Sequence, residues 1–121
     1  NPFSMPKVGF VEDHMNGQNL DKILANQYDL VCNGYEVASG SIRAHRREIL
    51  TATFKNMGYS NEEIEAGIGH MLHAFDCGTP PHGGLAFGID RLAMIVCNET
   101  SIKEVIAFPT SQTGRLSVMD G

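Results

Sequence analysis

A chain of 121 residues, 42% apolar and 19% charged, has the length and balance of one globular fold unit and excludes a disordered, collagen-like or membrane-spanning polypeptide. Its formal charge of −5 excludes a general nucleic-acid binder, whose affinity rests on many lysines and arginines neutralising phosphates. Cys32, Cys77 and Cys97 are odd in number and contain no CxxC pair, which argues against a disulfide framework or zinc ribbon and for the reduced thiols of a cytoplasmic protein.

The opening NPFSMPKVGF has no initiator Met and neither the basic start nor the continuous apolar stretch of a secretion signal, so the chain reads as cut or processed. Residues 1–19, punctuated by Pro2, Pro6, Gly9 and Gly17, read as an extended leading segment and a loop. Leu20 to Gln27 suggests one or two helical turns. From Tyr28 the pattern is β-like through YDLVCNGYEV, where two turns compete. Asn33-Gly34 is a strong hairpin dipeptide, but the preferred reading makes Gly34 a bulge, turns the chain at Ser39-Gly40 and returns it as SIRAH.

That register sets Glu36 opposite Arg43, with Cβ atoms roughly 4.5–5.5 Å apart. The plain meaning is a cross-strand ion pair worth about 0–1 kcal/mol when exposed. The functional alternative is a site wall in which Glu36 takes a hard cation and Arg43 clamps a carboxylate with its planar fork. The bulge would bring Asp29 onto the face of Glu36, and two carboxylates on one face suit a magnesium ion bridging phosphate oxygens. Without it, Asp29 is a strand-start residue facing water.

Arg46 to Met57 reads as a helix with Ile49, Leu50, Thr53, Phe54 and Met57 as its buried stripe and Gly58 as its stop. Ser60 and Glu63 form a capping box that opens a second helix through about Phe75, weakened by Gly67 and Gly69. CGTPPH, residues 77–82, is a turn-rich link. Gly84 to Ile89 then reads as a strand and Asp90 to Cys97 as a helix, with Asp90 as its cap. VIAF before Pro109 is a plausible strand, and no order is expected from Thr110. The cluster Arg43, His45, Arg46 and Arg47 either touches an anionic ligand or is a solvated helix start. His70, His73 and Cys77 lack a fourth ligand for a metal, and His82 is either a turn residue or part of a site wall.

GGLAFGIDR lacks the lysine of a P-loop and does not match the dinucleotide GxGxxG. Its glycines would let a ligand approach the backbone, and Arg91 at the helix start offers a fixed cation suited to a triphosphate. The alternative is a glycine-kinked core strand with a surface arginine.

Gly84-Leu85-Ala86-Phe87-Gly88-Ile89-Asp90-Arg91 resembles motif 3 of the class II aminoacyl-tRNA synthetases. NPFSMP, YDLVCNGYE, GSIRAH, PPHGG and VIAFP are similar to the bacterial-type aspartyl branch of that family. The resemblance covers nearly the whole chain. It implies an α+β fold, part of the class II antiparallel sheet flanked by helices, with residues 1–121 as an incomplete, C-terminal piece of the catalytic domain. It also implies ATP binding by Glu36, Gly88, Ile89, Asp90 and Arg91, magnesium held at Glu36 with Asp29, and aspartate gripped by Arg43. No side-chain nucleophile is implied. The reaction would be formation of aspartyl-adenylate and transfer to tRNA, in a cytoplasmic enzyme that is a homodimer at full length. The piece itself, without motifs 1 and 2, is expected to be inactive. Asn1 stands where the family commonly has the second of two histidines, and Ala38-Ser39 replaces a usual glycine pair. Two other readings stay open: a noncatalytic synthetase-like paralogue that binds ATP or an amino acid, and a scaffold that kept only the sheet. A scaffold needs none of Glu36, Arg43 and Arg91.

Overall fold

The computed structural model describes residues 1–110 and Gly114. Their fold is α+β. Strands β1 (Gln27–Cys32), β2 (Tyr35–Ile42) and β3 (Gly83–Phe87) form one sheet in the order β1-β2-β3. Helices α1 (Val11–Asn16), α2 (Arg47–Asn56), α3 (Asn61–Asp76) and α4 (Ile89–Val96) accompany it. Arg43 N–H donates to the His82 carbonyl and Gly88 N–H to the Val37 carbonyl, each at 2.9 Å. Partner numbers fall as strand numbers rise, so β2 and β3 are antiparallel. Among the described residues no helix is long and apolar enough to cross a membrane.

Two compact units share these residues: Asn1–Tyr28 with Gly40–Leu85, and Asp29–Ser39 with Ala86–Gly121.

In the first unit the core is Ala44, Ile49, Leu50, Ile64 and Leu72, with Phe3, Met5, Phe54, Ile68, Met71 and Phe75 packed around it. Helix α2 follows its apolar stripe, except that Met57 falls on the C-cap and is exposed. Helix α3 opens on the expected box: Ser60 Oγ accepts from Glu63 N–H at 3.2 Å and Glu63 Oε2 accepts from Ser60 N–H at 2.8 Å. Its glycines do not break it. A Cβ at Gly69 would stand 2.5 Å from Glu65 Oε1. The bare backbone there gives the Glu65 carboxylate room, and it meets His73 Nε2 at 2.8 Å and Arg47 at 3.5 Å. His73 is thus a hydrogen-bond partner of Glu65 on the helix surface.

Residues 1–19 contain more structure than their prolines and glycines suggest. Helix α1 has Glu12 and Asp13 in its first turn, which complements the helix dipole, and ends on Gly17 at φ 66°. Six residues cannot sustain a helix alone. Tertiary bonds to α2 hold it: buried His14 places Nε2 3.2 Å from the Ile49 carbonyl and 3.0 Å from Thr53 Oγ1, and Asn56 Nδ2 donates to the His14 carbonyl at 2.8 Å.

The hairpin corrects the sequence reading. Asn33 and Gly34 have φ 51° and 83° and form the two-residue loop between β1 and β2, the mirror-image turn that matches strand twist. Ser39 and Gly40 lie inside β2. Gly40 is there for space: a Cβ on it would collide with the Gly84 carbonyl and stand 2.5 Å from Tyr28 Cε2. Tyr28 in turn donates its hydroxyl to the Gly84 carbonyl at 3.0 Å.

In the second unit Val37, Ala38 and Met94 are buried, and α4 packs on the 3-10 turn Ile102–Val105. VIAF is therefore no strand, since its first residue ends that turn and the rest runs irregularly. Gly88, not Asp90, is the N-cap of α4, and Asp90 sits in the first turn. Of the stretch from Thr110 expected to lack order, residues 111–113 and 115–121 lie outside the described residues.

Candidate functional site

A groove of about 320 Å³ in the second unit gathers Glu36, Val37, Ala38 and Ser39 from β2 with Ala86, Phe87, Gly88 and Arg91 from the β3–α4 junction. Gly88 N–H bonds the Val37 carbonyl at 2.9 Å, which locks the junction to the strand just before the helix begins. One turn on, Arg91 Nη1 donates to the Glu36 carbonyl at 2.6 Å and lies 3.8 Å from Glu36 Oε1. The short bond fixes the guanidinium by main chain. The carboxylate contact is long and both side chains are about half exposed, 48% and 50%, so that ion pair contributes about 0–1 kcal/mol. A cation is thereby oriented while most of its N–H fork stays free for an anion.

The α4 start adds to this. Backbone N–H groups of a first helical turn have no intrahelical acceptor, and Gly88 supplies no side-chain cap. Ile89, Asp90 and Arg91 are the residues of that turn. The two-residue loop sets Val31 opposite Glu36. Ile42 N–H bonds the Asn26 carbonyl at 2.9 Å, one residue out of step with that loop, so β2 gains a residue along the hairpin. Asp29 stands on β1 two positions from Val31.

The glycines carry less than their number suggests. A Cβ at Gly83 would press on Ser41 O and Ile42 Cδ1 at 3.0 Å, a sheet-packing constraint. Gly84 opens onto free space, and at Gly88 the nearest neighbour would be Arg91 Cδ at 3.5 Å, an ordinary contact.

Arg43 is not opposite Glu36. The two lie seven residues apart along one extended stretch, and Arg43 belongs to the first unit, bridged to Ser4. Its guanidinium carbon stands 5.3 Å over the Phe3 ring, and among the described residues no carboxylate pairs with it. The neighbouring cations behave otherwise. Arg46 pairs with Glu48, and Arg47 with Asp76 at 2.7 Å, so this part of the basic cluster is a solvated helix start. The Glu48 carboxyl is held below its usual range by its own backbone N–H first, which outweighs the opposing effect of burial, and then by Arg46 and His45. A larger groove, about 630 Å³, runs between α1 and α2 beside Arg47, Thr51 and Lys55 and contains none of Asp29, Glu36, Arg43, Gly88, Ile89, Asp90 and Arg91. The sequence reading left out Ser39 as a groove wall and the packing of His45 against His82, whose rings lie 6.4 Å apart.

The family described as tRNA synthetases class II (D, K and N) matches residues 1–112. The aspartate–tRNA(Asp/Asn) ligase of Pelodictyon phaeoclathratiforme is 56% identical over 112 residues, 93% of this chain and 18% of the relative. That of Ruegeria sp. is 53% identical over the same shares. The chain thus spans less than a fifth of the length of these relatives. The solved aspartyl-tRNA synthetase of Entamoeba histolytica has the same fold, at TM-score 0.72 and 24% identity over 93% of this chain and 20% of that one. The expected C-terminal placement and the motif 3 label do not come with these matches, and neither is retained. The chain belongs to the class II tRNA synthetases of the D, K and N group.

Proposed function

We propose that this chain is part of the catalytic domain of an aspartate–tRNA ligase, with its ATP held at the Glu36–Arg91 groove and its aspartate at Arg43. The observation that carries the nucleotide site is the 2.6 Å bond from Arg91 to the Glu36 carbonyl, which presents a fixed guanidinium beside an uncapped helix start. Phosphate recognition needs those two features together. Ile89, Asp90 and Arg91 then contribute main-chain N–H groups, and Gly88 shapes the approach.

Glu36 and Asp29, on the two strands of the hairpin, are hard oxygen donors of the kind magnesium takes. When bound, magnesium neutralises phosphate charge. Activation is attack of the aspartate carboxylate on the α-phosphate, with pyrophosphate leaving, and the protein's part is positioning and charge stabilisation. Arg43 suits the substrate's side-chain carboxylate because it has no carboxylate partner among the described residues and Phe3 limits its swing. The ligase acts in the cytoplasm as a homodimer and passes the aspartyl group to tRNA. Because the relatives are aspartate–tRNA(Asp/Asn) ligases, both the aspartate and the asparagine tRNA belong in a charging assay.

The test is aspartate-dependent exchange of pyrophosphate into ATP, with magnesium, in the enzyme that carries this chain. Arg91→Ala and Glu36→Ala are expected to abolish exchange, and exchange undiminished in both overturns the nucleotide site. This polypeptide alone is expected to show none. ATP binding without exchange in the longer protein would indicate a noncatalytic paralogue.

A further inference from the structure

Two histidines stand beside Arg43, and the reading above uses neither. Arg43 N–H donates to the His82 carbonyl at 2.9 Å, so the two residues are directly opposed and their side chains leave on one face. His45 follows Arg43 by two positions, and its ring meets that of His82 edge-on with centroids 6.4 Å apart. All three side chains therefore share that face.

Each imidazole is held through Nδ1. His82 Nδ1 lies 2.9 Å from the Pro80 carbonyl and His45 Nδ1 3.3 Å from the Arg43 carbonyl. A carbonyl only accepts, so the proton of each neutral ring sits on Nδ1 and Nε2 is the free atom. A second proton turns Nε2 into a charged donor. Arg43 stands beside the pair, and Glu48, from the start of α2, lies within electrostatic reach of His45. Glu48 is already paired to Arg46. His82 is exposed, and among the described residues no carboxylate bonds it.

We propose that His82 joins Arg43 as the carboxylate-selecting wall of the amino-acid site. The fork of Arg43 supplies a permanent charge and the Nε2 of protonated His82 a second, so that a side-chain carboxylate is favoured over a carboxamide of the same shape. His45 holds the His82 ring edge-on. This rests on the reading of Arg43 as the aspartate anchor, and it adds a specificity residue whose effect depends on pH.

The experiment measures KM for aspartate, and inhibition by asparagine, in pyrophosphate exchange from about pH 6 to about pH 8 with the enzyme that carries this chain. Expected is a KM for aspartate that rises with pH in the wild type while asparagine inhibition stays level. His82→Gln should raise KM for aspartate roughly tenfold at the acid end and about twofold or less at the alkaline end, as loss of one charge-assisted hydrogen bond would. His82→Ala should do the same, and kcat should change little in either. If both variants exchange normally and keep the wild-type KM and its pH slope, His82 is only a turn residue and the inference falls. If Arg43→Ala leaves KM unchanged, the aspartate site itself is misplaced, and that failure is visible independently of His82.

Discussion

The helical part of the first unit and the hairpin that bears Glu36 are built on opposite terms. Helices α2 and α3 bury Ile49, Leu50, Ile64 and Leu72 almost completely, and between them Arg47 meets both Asp76 and Glu65. Strands β1 and β3 have every residue exposed, and Arg91 and Glu36 are half open to water. Stability is concentrated where the side chains are saturated, and chemistry is available where they are not. In the groove the cation is held by a backbone carbonyl at 2.6 Å rather than consumed by a carboxylate.

That contrast can be broken at graded strengths. Leu50→Ala should cost about 2–5 kcal/mol, as truncation of a fully enclosed side chain does, read by urea unfolding. A cost under about 1 kcal/mol would mean that the helical core is not where the fold is anchored. Gly40→Ala should come next, at about 1–3 kcal/mol, because the added methyl meets the Gly84 carbonyl and the Tyr28 ring. A neutral outcome would show that the strands can separate there. Ser60→Ala should cost about 1 kcal/mol through loss of the capping box, and Glu63→Gln less, since the amide still accepts a hydrogen bond.

Arg91→Ala should move unfolding by no more than about 0.5 kcal/mol while removing ATP binding in a calorimetric titration of the longer enzyme. Destabilisation on the scale of Leu50→Ala would make Arg91 a structural clasp and would erase the contrast. The smallest effect expected is at Glu48. Its folded pKa lies below the reference value of 4.5, so its contribution is present above that pH and is lost as pH falls through the folded value. Melting temperatures of wild type and Glu48→Gln should therefore converge in acid and separate slightly above about pH 5.

The helices were legible because their signals are local. The α2 stripe, the capping box of α3 and the link 77–82 each depend on residues within a few positions of one another. Helix α1 was missed because what stabilises it, the bonds of His14 and Asn56, connects residues 35 to 42 positions apart. The hairpin was misplaced because Ser39-Gly40 has turn composition while its actual constraint is a neighbouring strand's carbonyl. Composition cannot separate a glycine needed for φ from one needed for room.

By itself the sequence pointed to the family through its motifs, and through that resemblance to the α+β class and the candidate residues Asp29, Glu36, Arg43, Gly88, Ile89, Asp90 and Arg91. Tertiary structure decided which of them meet. It joined Glu36 to Arg91, 55 residues apart, and set Arg43 opposite His82. Strand pairing fixes such neighbours, because hydrogen-bond register links positions whose separation leaves no trace in local pattern.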